Sequence, residues 1–301
     1  MTNNRRKRGH NAAKTDIYQT VTDAIIAAIE SGQTAEKFVM PWDGFTSLPL
    51  NASTGKSYRG INIPMLWVHQ MERRCCSGYW ATYKQWQELG AQVRKGEKGA
   101  GIVFWKLLDV EPEEDNDEGE TRMFARWSTV FNADQVDGFT IPASENQGNA
   151  RIIETAEDFM AATGARITHG GTRAYYQRGT DTIALPEQSS FHDTPTSTAT
   201  EAYYSTALHE LTHWTGAPKR LDRKKGKRFG DADYAFEELI AELGAAMLCA
   251  TLGITSSTRP DHAHYIDGWL KALKNDKRFI FSAASQAQKA ADYLLSLQPE
   301  V

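Results

Sequence analysis

Two histidines and a glutamate stand together at His209, Glu210 and His213, in the stretch "ALHELTHWTG". On a helix, residues four apart share one face, so both imidazoles can reach a single ion at about 2.0–2.1 Å, the usual zinc–nitrogen distance. Glu210, one position along, then faces a water rather than the ion and is placed to act as a general base. The competing reading is a packed helix whose polar groups are merely satisfied inside a core. Hydrolysis assisted by a divalent cation is the chemistry this spacing supports best.

A catalytic zinc needs a third protein ligand and one open position. The following helix, "DYAFEELIAELGAAMLCATLG", offers acids to supply it. On a helical wheel Glu238 and Glu242 fall with Ala235, Ala245 and Cys249, opposite Phe236, Leu239, Ile240, Leu243 and Met247. Small neighbours admit another helix closely, and a buried carboxylate needs a positive partner. The expectation is Glu238 as metal ligand and Glu242, one turn on, hydrogen-bonded to a ligand histidine. Glu237 points elsewhere, to solvent or to the basic loop 218–230. The bland alternative is two surface glutamates on an amphipathic helix. Two imidazoles and a carboxylate favour Zn2+ and also accept Mn2+ or Co2+.

These helices sit late in a chain of 301 residues, long enough for two cores. Residues 1–108 carry 15 Lys and Arg against 8 Asp and Glu, whereas 109–121 carry 8 acids and no base, so a net charge of −4 conceals a basic front half. Six of eight tryptophans precede residue 130. No apolar run approaches the roughly 20 residues that span a bilayer, and three cysteines without framework spacing suit a reducing compartment, so a cytoplasmic protein with no membrane partner is expected. The chain divides into a disordered basic tail (1–14), a first domain (15–148) and a second (149–301).

The first domain opens with a helix from 16 to 32, capped by Thr15 and stopped by Gly32. It continues with helices capped by Asn62 and by a Thr82–Gln85 box, then two strands flanking the acidic run 109–121, read as a mobile hairpin loop. The second holds a short helix, three strands ("ARITHG", "RAYYQ", "DTIALP") and helices at 198–215, 233–252, 261–275 and 279–297. "DTIALP", just before the His209 helix, is expected as the edge strand on which an extended substrate lies.

The stretches "TDTIALPEQSSF", "YYSTALHELTHWTGAPKRLDR", "YAFEELIAELGAAML" and "HAHYIDGWLKALKNDKRFIFSAASQAQKAADYL" resemble the zincin-like metallopeptidase domain of ArdC-type plasmid antirestriction proteins. Upstream, "PWDGFTSLPLNASTGKSYRGINIPMLW", "YWATYKQWQELGAQVRKGEKGAGIVFWK" and "FNADQV" resemble their amino-terminal domain, which also fronts TraC-type conjugative primases. The resemblance spans about residues 15–297. It implies an α+β chain of two domains, a small mixed α+β domain binding single-stranded DNA and a gluzincin-like domain with a short sheet and active-site helices, protecting incoming conjugative DNA from restriction. It also implies Glu238 as third ligand and Glu242 as its outer partner. Candidate oxyanion stabilisers are His192, His262, His264 and Tyr265, with His262 favoured by the resemblance. A host restriction enzyme or another protein is the candidate peptide substrate.

Single strands are held by a positive groove plus aromatic faces that stack bases. Trp42, Tyr58, Trp80 and Trp86 are the expected stacking residues, with Lys56, Arg59, Lys84, Arg94, Lys95 and Lys98 on the phosphates. Trp67 and Trp105, on regular apolar patterns, are assigned to the core. Two further readings stand beside this one: a non-proteolytic protein that coats single strands around a structural metal site, and a DNA mimic acting through the acidic loop.

Overall fold

The computed structural model describes residues 16–32, 40, 42, 44–110, 120–142, 149–193, 197–224, 232–255 and 263–299. In chain order its elements are α1 (Ile17–Ser31), β1 (Leu50–Asn51), α2 (Asn62–Arg73), β2 (Tyr79–Ala81), α3 (Tyr83–Glu88), β3 (Gln92–Val93), β4 (Ala100–Val110), β5 (Glu120–Asn132), β6 (Val136–Asp137), α4 (Asn149–Ala162), β7 (Arg166–His169), β8 (Tyr175–Gln177), β9 (Thr182–Leu185), α5 (Ala199–Thr215), α6 (Ala232–Leu252), α7 (Ala263–Asn275) and α8 (Phe279–Ser296). The chain is mixed α+β, as expected.

Local chemistry explains most of the boundaries. The Thr82–Gln85 and Thr198–Glu201 capping boxes both form, each Thr hydroxyl accepting from the backbone N–H three residues on. Gly32 closes α1 as expected, but Asp16 rather than Thr15 opens it, its carboxylate accepting from the Gln19 N–H at 3.2 Å. Asn62 does not cap α2. Its side chain instead donates to Val103 O (2.9 Å) and accepts from Val103 N (2.7 Å), which fastens β4 to the start of α2.

β1, β2, β5 and β4 form one sheet in that order, β1–β2 parallel and the others antiparallel. β4 and β5 pair in unbroken register from Ala100↔Val130 to Val110↔Glu120, so the first and last residues of the acidic run, 109–110 and 120–121, are strand. Residues 111–119 of that run are outside the described residues, as is the amino-terminal tail. Gly101 is needed in this hairpin because a Cβ there would meet the Trp127 ring at 1.7 Å.

In the second sheet the order is β7-β9-β8, with β9 parallel to β7 and antiparallel to β8. This corrects the placing of "DTIALP" at an edge. Thr182–Leu185 is paired on both sides and has no backbone free for an added strand; the edges are β7 and β8. The correction arises because β7 and β8 precede β9 in sequence yet bracket it in space.

One continuous buried cluster joins Val21, Ile25 and Trp67 to Leu208, Leu243, Trp269 and Ala287, across the division at residue 148. α1 lies against α7, with the Thr22 hydroxyl donating to Lys277 O at 2.8 Å and Lys274 paired with Glu30 at 2.7 Å. Among the described residues no helix is long and apolar enough to cross a membrane.

Candidate metal centre

α5 and α6 are packed face to face, and where they touch there is no room for a larger residue than Gly244. A Cβ there would lie 2.6 Å from the Thr212 methyl. This contact sets α6 close enough for its carboxylates to reach the imidazoles of α5. His209, His213 and Glu238 each offer a ligand atom within 4.8 Å of the others, and all three are buried.

The distances within the group decide which atoms point inward. His209 Nε2 and His213 Nε2 are 3.1 Å apart, and the Glu238 oxygens lie 3.6 Å from the first and 3.5 Å from the second. On the outer side, Glu242 Oε1 is 2.7 Å from His209 Nδ1, and Glu237 Oε1 is 3.2 Å from His213 Nδ1. A carboxylate at each Nδ1 fixes the proton there and leaves the Nε2 lone pairs facing each other. Two such lone pairs and a carboxylate repel unless a cation lies between them. Donors in tetrahedral contact with zinc at about 2.05 Å are about 3.3 Å apart, close to the separations here, so the residues fit a divalent metal.

The same surroundings favour a positive charge between these groups, whether from a proton on His213 or from a metal. Burial alone would push the Glu238 carboxyl up, but the facing His213 and His209 hold it well below the usual carboxylate range. Burial opposes the charged form of His213, yet the charge of Glu238 and the bonds to Glu237 and Glu238 raise its pKa above the usual imidazole value. The Glu237 carboxyl, raised by burial, is brought down to about 2 by its bonds to His213 and Arg223.

Arg223 is the residue that the sequence reading missed. Its guanidinium donates to both Glu237 oxygens (Nη2 to Oε1 2.8 Å, Nε to Oε2 3.0 Å), to Thr215 Oγ1 (2.6 Å) and to Thr212 O (2.6 Å). It thus neutralises Glu237 and satisfies a carbonyl in the last turn of α5. Glu237 itself, expected at solvent or on the basic loop, is paired with that loop through Arg223 and is 2% exposed. The only sequence signal was an arginine in the short loop leaving the His209 helix.

Tyr234, one turn before Glu238, was also missed. Its hydroxyl is 3.2 Å from that of Tyr265, one of the oxyanion candidates, and burial, that bond and the charge on Glu238 push its pKa far up. Glu210 is buried beside the two histidines in sequence. His192 is exposed, while His262 and the side chain of His264 fall outside the described residues.

Of the expected stacking residues, Trp42, Trp80 and Trp86 have no exposed surface. Trp80 packs with Tyr58, Leu66, Ile102 and Val130, and the Trp86 indole N–H donates to Phe131 O at 3.0 Å. Their rings are committed to the core and present no face to a base. Tyr58 is 8% exposed, its hydroxyl taken by Asn51. Trp80→Ala is accordingly expected to cost roughly 3–5 kcal/mol of stability. Thermal unfolding checks this; a variant that melts like wild type but loses DNA binding would return Trp80 to the surface role. Trp105 is corrected in the opposite direction. It is 42% exposed, held at one side by Tyr18 and Phe281, because β4 runs past the body of the sheet at that point. Trp67 is buried against Phe45, as expected.

The cations separate into two places. Lys56 and Arg59 line a cleft against α8, while Arg94 and Lys95 line a second, shallower one beside Tyr83 and Phe131. Arg94 is tied to Glu97 at 3.0 Å and to Asp137 at 3.5 Å, and Lys84 to Glu88 at 3.5 Å; Lys98 is exposed.

Residues 154–286 match the family described as zincin-like metallopeptidase, and residues 15–131 that described as the N-terminal domain of anti-restriction factor ArdC. A crystal structure of the metal-free antirestriction ArdC protein from plasmid R388 superposes with a TM-score of 0.77 at 43% identity, covering 94% of this chain and 98% of that one. The chain belongs to the ArdC antirestriction family. The Mn(II)-bound structure of the same ArdC protein matches with a TM-score of 0.76 at 44% identity, over 95% and 99% of the two chains. Protein y4eC of Sinorhizobium fredii is 47% identical over 295 residues, 95% of this chain and 94% of its own length. DNA primase TraC of Escherichia coli is 39% identical over 303 residues, but the chain spans only a fifth of that protein. The ArdC family thus supplies the antirestriction and plasmid setting, and its zincin-like part the expectation of a divalent metal.

Proposed function

We propose that this ArdC-family chain binds single-stranded DNA and uses a zinc-dependent peptidase site, protecting incoming conjugative DNA from host restriction in the cytoplasm. The functional division is a basic tail (1–14), a strand-binding part (15–148) and a peptidase part (149–301). The observation that carries the peptidase reading is the convergence of His209 Nε2, His213 Nε2 and a Glu238 oxygen, with both Nδ1 atoms engaged by carboxylates. That a relative is found in a Mn(II)-bound structure supports a divalent ion in this chain. For the strand-binding part, support comes from the amino-terminal match, shared in sequence with the TraC primases.

His209, His213 and Glu238 would hold the ion, which supplies Lewis acidity toward a peptide carbonyl and the attacking water. Glu210 takes the proton of that water and returns it to the leaving amine. Glu242 and Glu237 keep each imidazole in one tautomer. Tyr234, whose hydroxyl proton is held by burial and by its neighbours, and Tyr265 beside it are hydroxyl donors for the developing oxyanion, alongside His262. An extended substrate adds to β8, an antiparallel edge strand that packs on α5. A host restriction enzyme is the candidate substrate.

Glu210→Gln tests the reading. It is expected to keep the bound metal and to lower peptide hydrolysis by about 10²–10⁴-fold, the usual contribution of a general base. Conjugation into a restricting host, run beside a peptide-cleavage assay, separates the alternatives. Full protection by Glu210→Gln would favour a strand-coating protein with a structural metal; loss of protection only on removing 111–119 would favour the acidic loop as DNA mimic.

A further inference from the structure

A well-formed cleft lies between the two parts of the chain. It has a volume of about 830 Å3, and its walls come from the loop 51–62 and β4 on one side and from α8 on the other. That volume is within the roughly 300–1,000 Å3 typical of sites for small ligands. Its walls are fixed relative to each other: the Gly60 N–H donates to Gln288 Oε1 at 2.9 Å, and Arg59 pairs with Asp292.

Two features of the lining point to one kind of ligand. Phe104 and Trp105 are 49% and 42% exposed, unusual for large rings at consecutive positions of a strand, and both border the cleft. Trp105 is steadied edge-on by Phe281 (ring centres 6.5 Å apart) and tilted against Tyr18 (6.2 Å), which holds its ring in place and keeps it partly open. The charged lining consists of Lys56, Arg59 and Lys289 against Asp292, a surplus of two positive charges on a chain whose net charge is −4. Lys56 and Lys289 are exposed and make no ion pair among the described residues. Open aromatic rings flanked by unpaired cations match an unstacked base joined to phosphates; a duplex, with its bases hidden, has nothing to offer the rings.

We infer that this interdomain cleft seats a nucleotide of single-stranded DNA, its base on Trp105 or Phe104 and its phosphates on Lys56 and Lys289, so that the strand is held jointly by the amino-terminal part and by α8 of the peptidase part. The inference rests on the single-strand reading above and assigns it to residues other than the tryptophans singled out in the sequence. It also brings the strand to α8, which packs on both helices that carry the metal ligands, α5 and α6.

The test is fluorescence anisotropy with the full-length chain and a labelled 20-nucleotide oligothymidine, titrated with salt, beside a duplex of equal length. Trp105→Ala is expected to weaken the single strand by roughly 5- to 150-fold, the fold-change equivalent of about 1–3 kcal/mol for one stack, and to leave the duplex within twofold. Since Trp105 also packs on Tyr18 and Phe281, Lys289→Ala provides a surface variant that keeps the fold. It should lower the slope of log K against log salt by about 0.7, the value for one phosphate contact on a single strand. Lys271→Ala, at an exposed position of α7, is the control and should change neither. If wild type does not prefer the single strand, the strand-binding reading itself fails. If wild type prefers it and both cleft variants bind as wild type does, the cleft assignment alone is overturned and the cleft at Arg94 and Lys95 takes its place. Thymidine monophosphate competing as well as the oligonucleotide, mole for mole, would also overturn it, by making a free nucleotide the ligand.

Discussion

Glu238→Ala is expected to empty the metal centre. Each histidine Nε2 faces the same carboxylate, at 3.6 and 3.5 Å, so removing it takes away one of three donors and the negative charge that both imidazoles face. Loss of an outer hydrogen-bond partner lowers metal affinity by about 10–100-fold, and Glu242→Ala, which frees His209 Nδ1, should fall in that range. Loss of a direct donor should exceed it. Chelator competition followed by metal analysis of the dialysed protein separates the two, with Glu242→Ala partly loaded and Glu238→Ala unloaded. Since bound metal stabilises the folded chain in proportion to RT ln(1 + [L]/Kd), added Zn2+ should raise the melting temperature of wild type and leave that of Glu238→Ala unchanged. Retention of a full equivalent of metal by Glu238→Ala would move the third ligand elsewhere.

The histidine pair could be read from sequence because helical spacing alone dictates a shared face, and Glu238 with Glu242 because small residues around two acids marked a close helix contact. The observed separations follow from both. Arg223 was hidden because a guanidinium in a loop carries no period, and its target is set only when the chain turns back across the end of α5. Gly216 records that turn: a Cβ there would lie 2.9 Å from the Arg223 guanidinium. Strand order was hidden for the same reason, since β9 slips between two earlier strands and nothing local to "DTIALP" states it. The tryptophans misled because Trp42 in a loop, and Trp80 and Trp86 around a short polar helix, sit on no periodic apolar face and so read as surface, whereas tertiary packing closes over all three. Trp105 shows the converse, an alternating strand pattern that continues past the point where there is anything left to cover it.

The second large effect concerns Arg223, where stability and metal binding can be told apart. Arg223→Met keeps the length of the side chain but leaves Glu237, 2% exposed, without the cation that balances it. Breaking a buried pair from one side typically costs about 3–5 kcal/mol, because the remaining charge is neither solvated nor matched. The metal-free chain should therefore melt well below wild type, and Thr212 O at the end of α5 loses its donor as well. Replacing both partners, Arg223→Met with Glu237→Leu, removes the stranded charge and should recover much of that loss. It should not recover metal affinity, since His213 Nδ1 has then lost the carboxylate at 3.2 Å that fixes its tautomer, and a deficit of about 10–100-fold is expected to persist. A double variant that regains both would reduce Glu237 to a packing residue; a single variant as stable as wild type would mean that Glu237 does not depend on Arg223 for its charge.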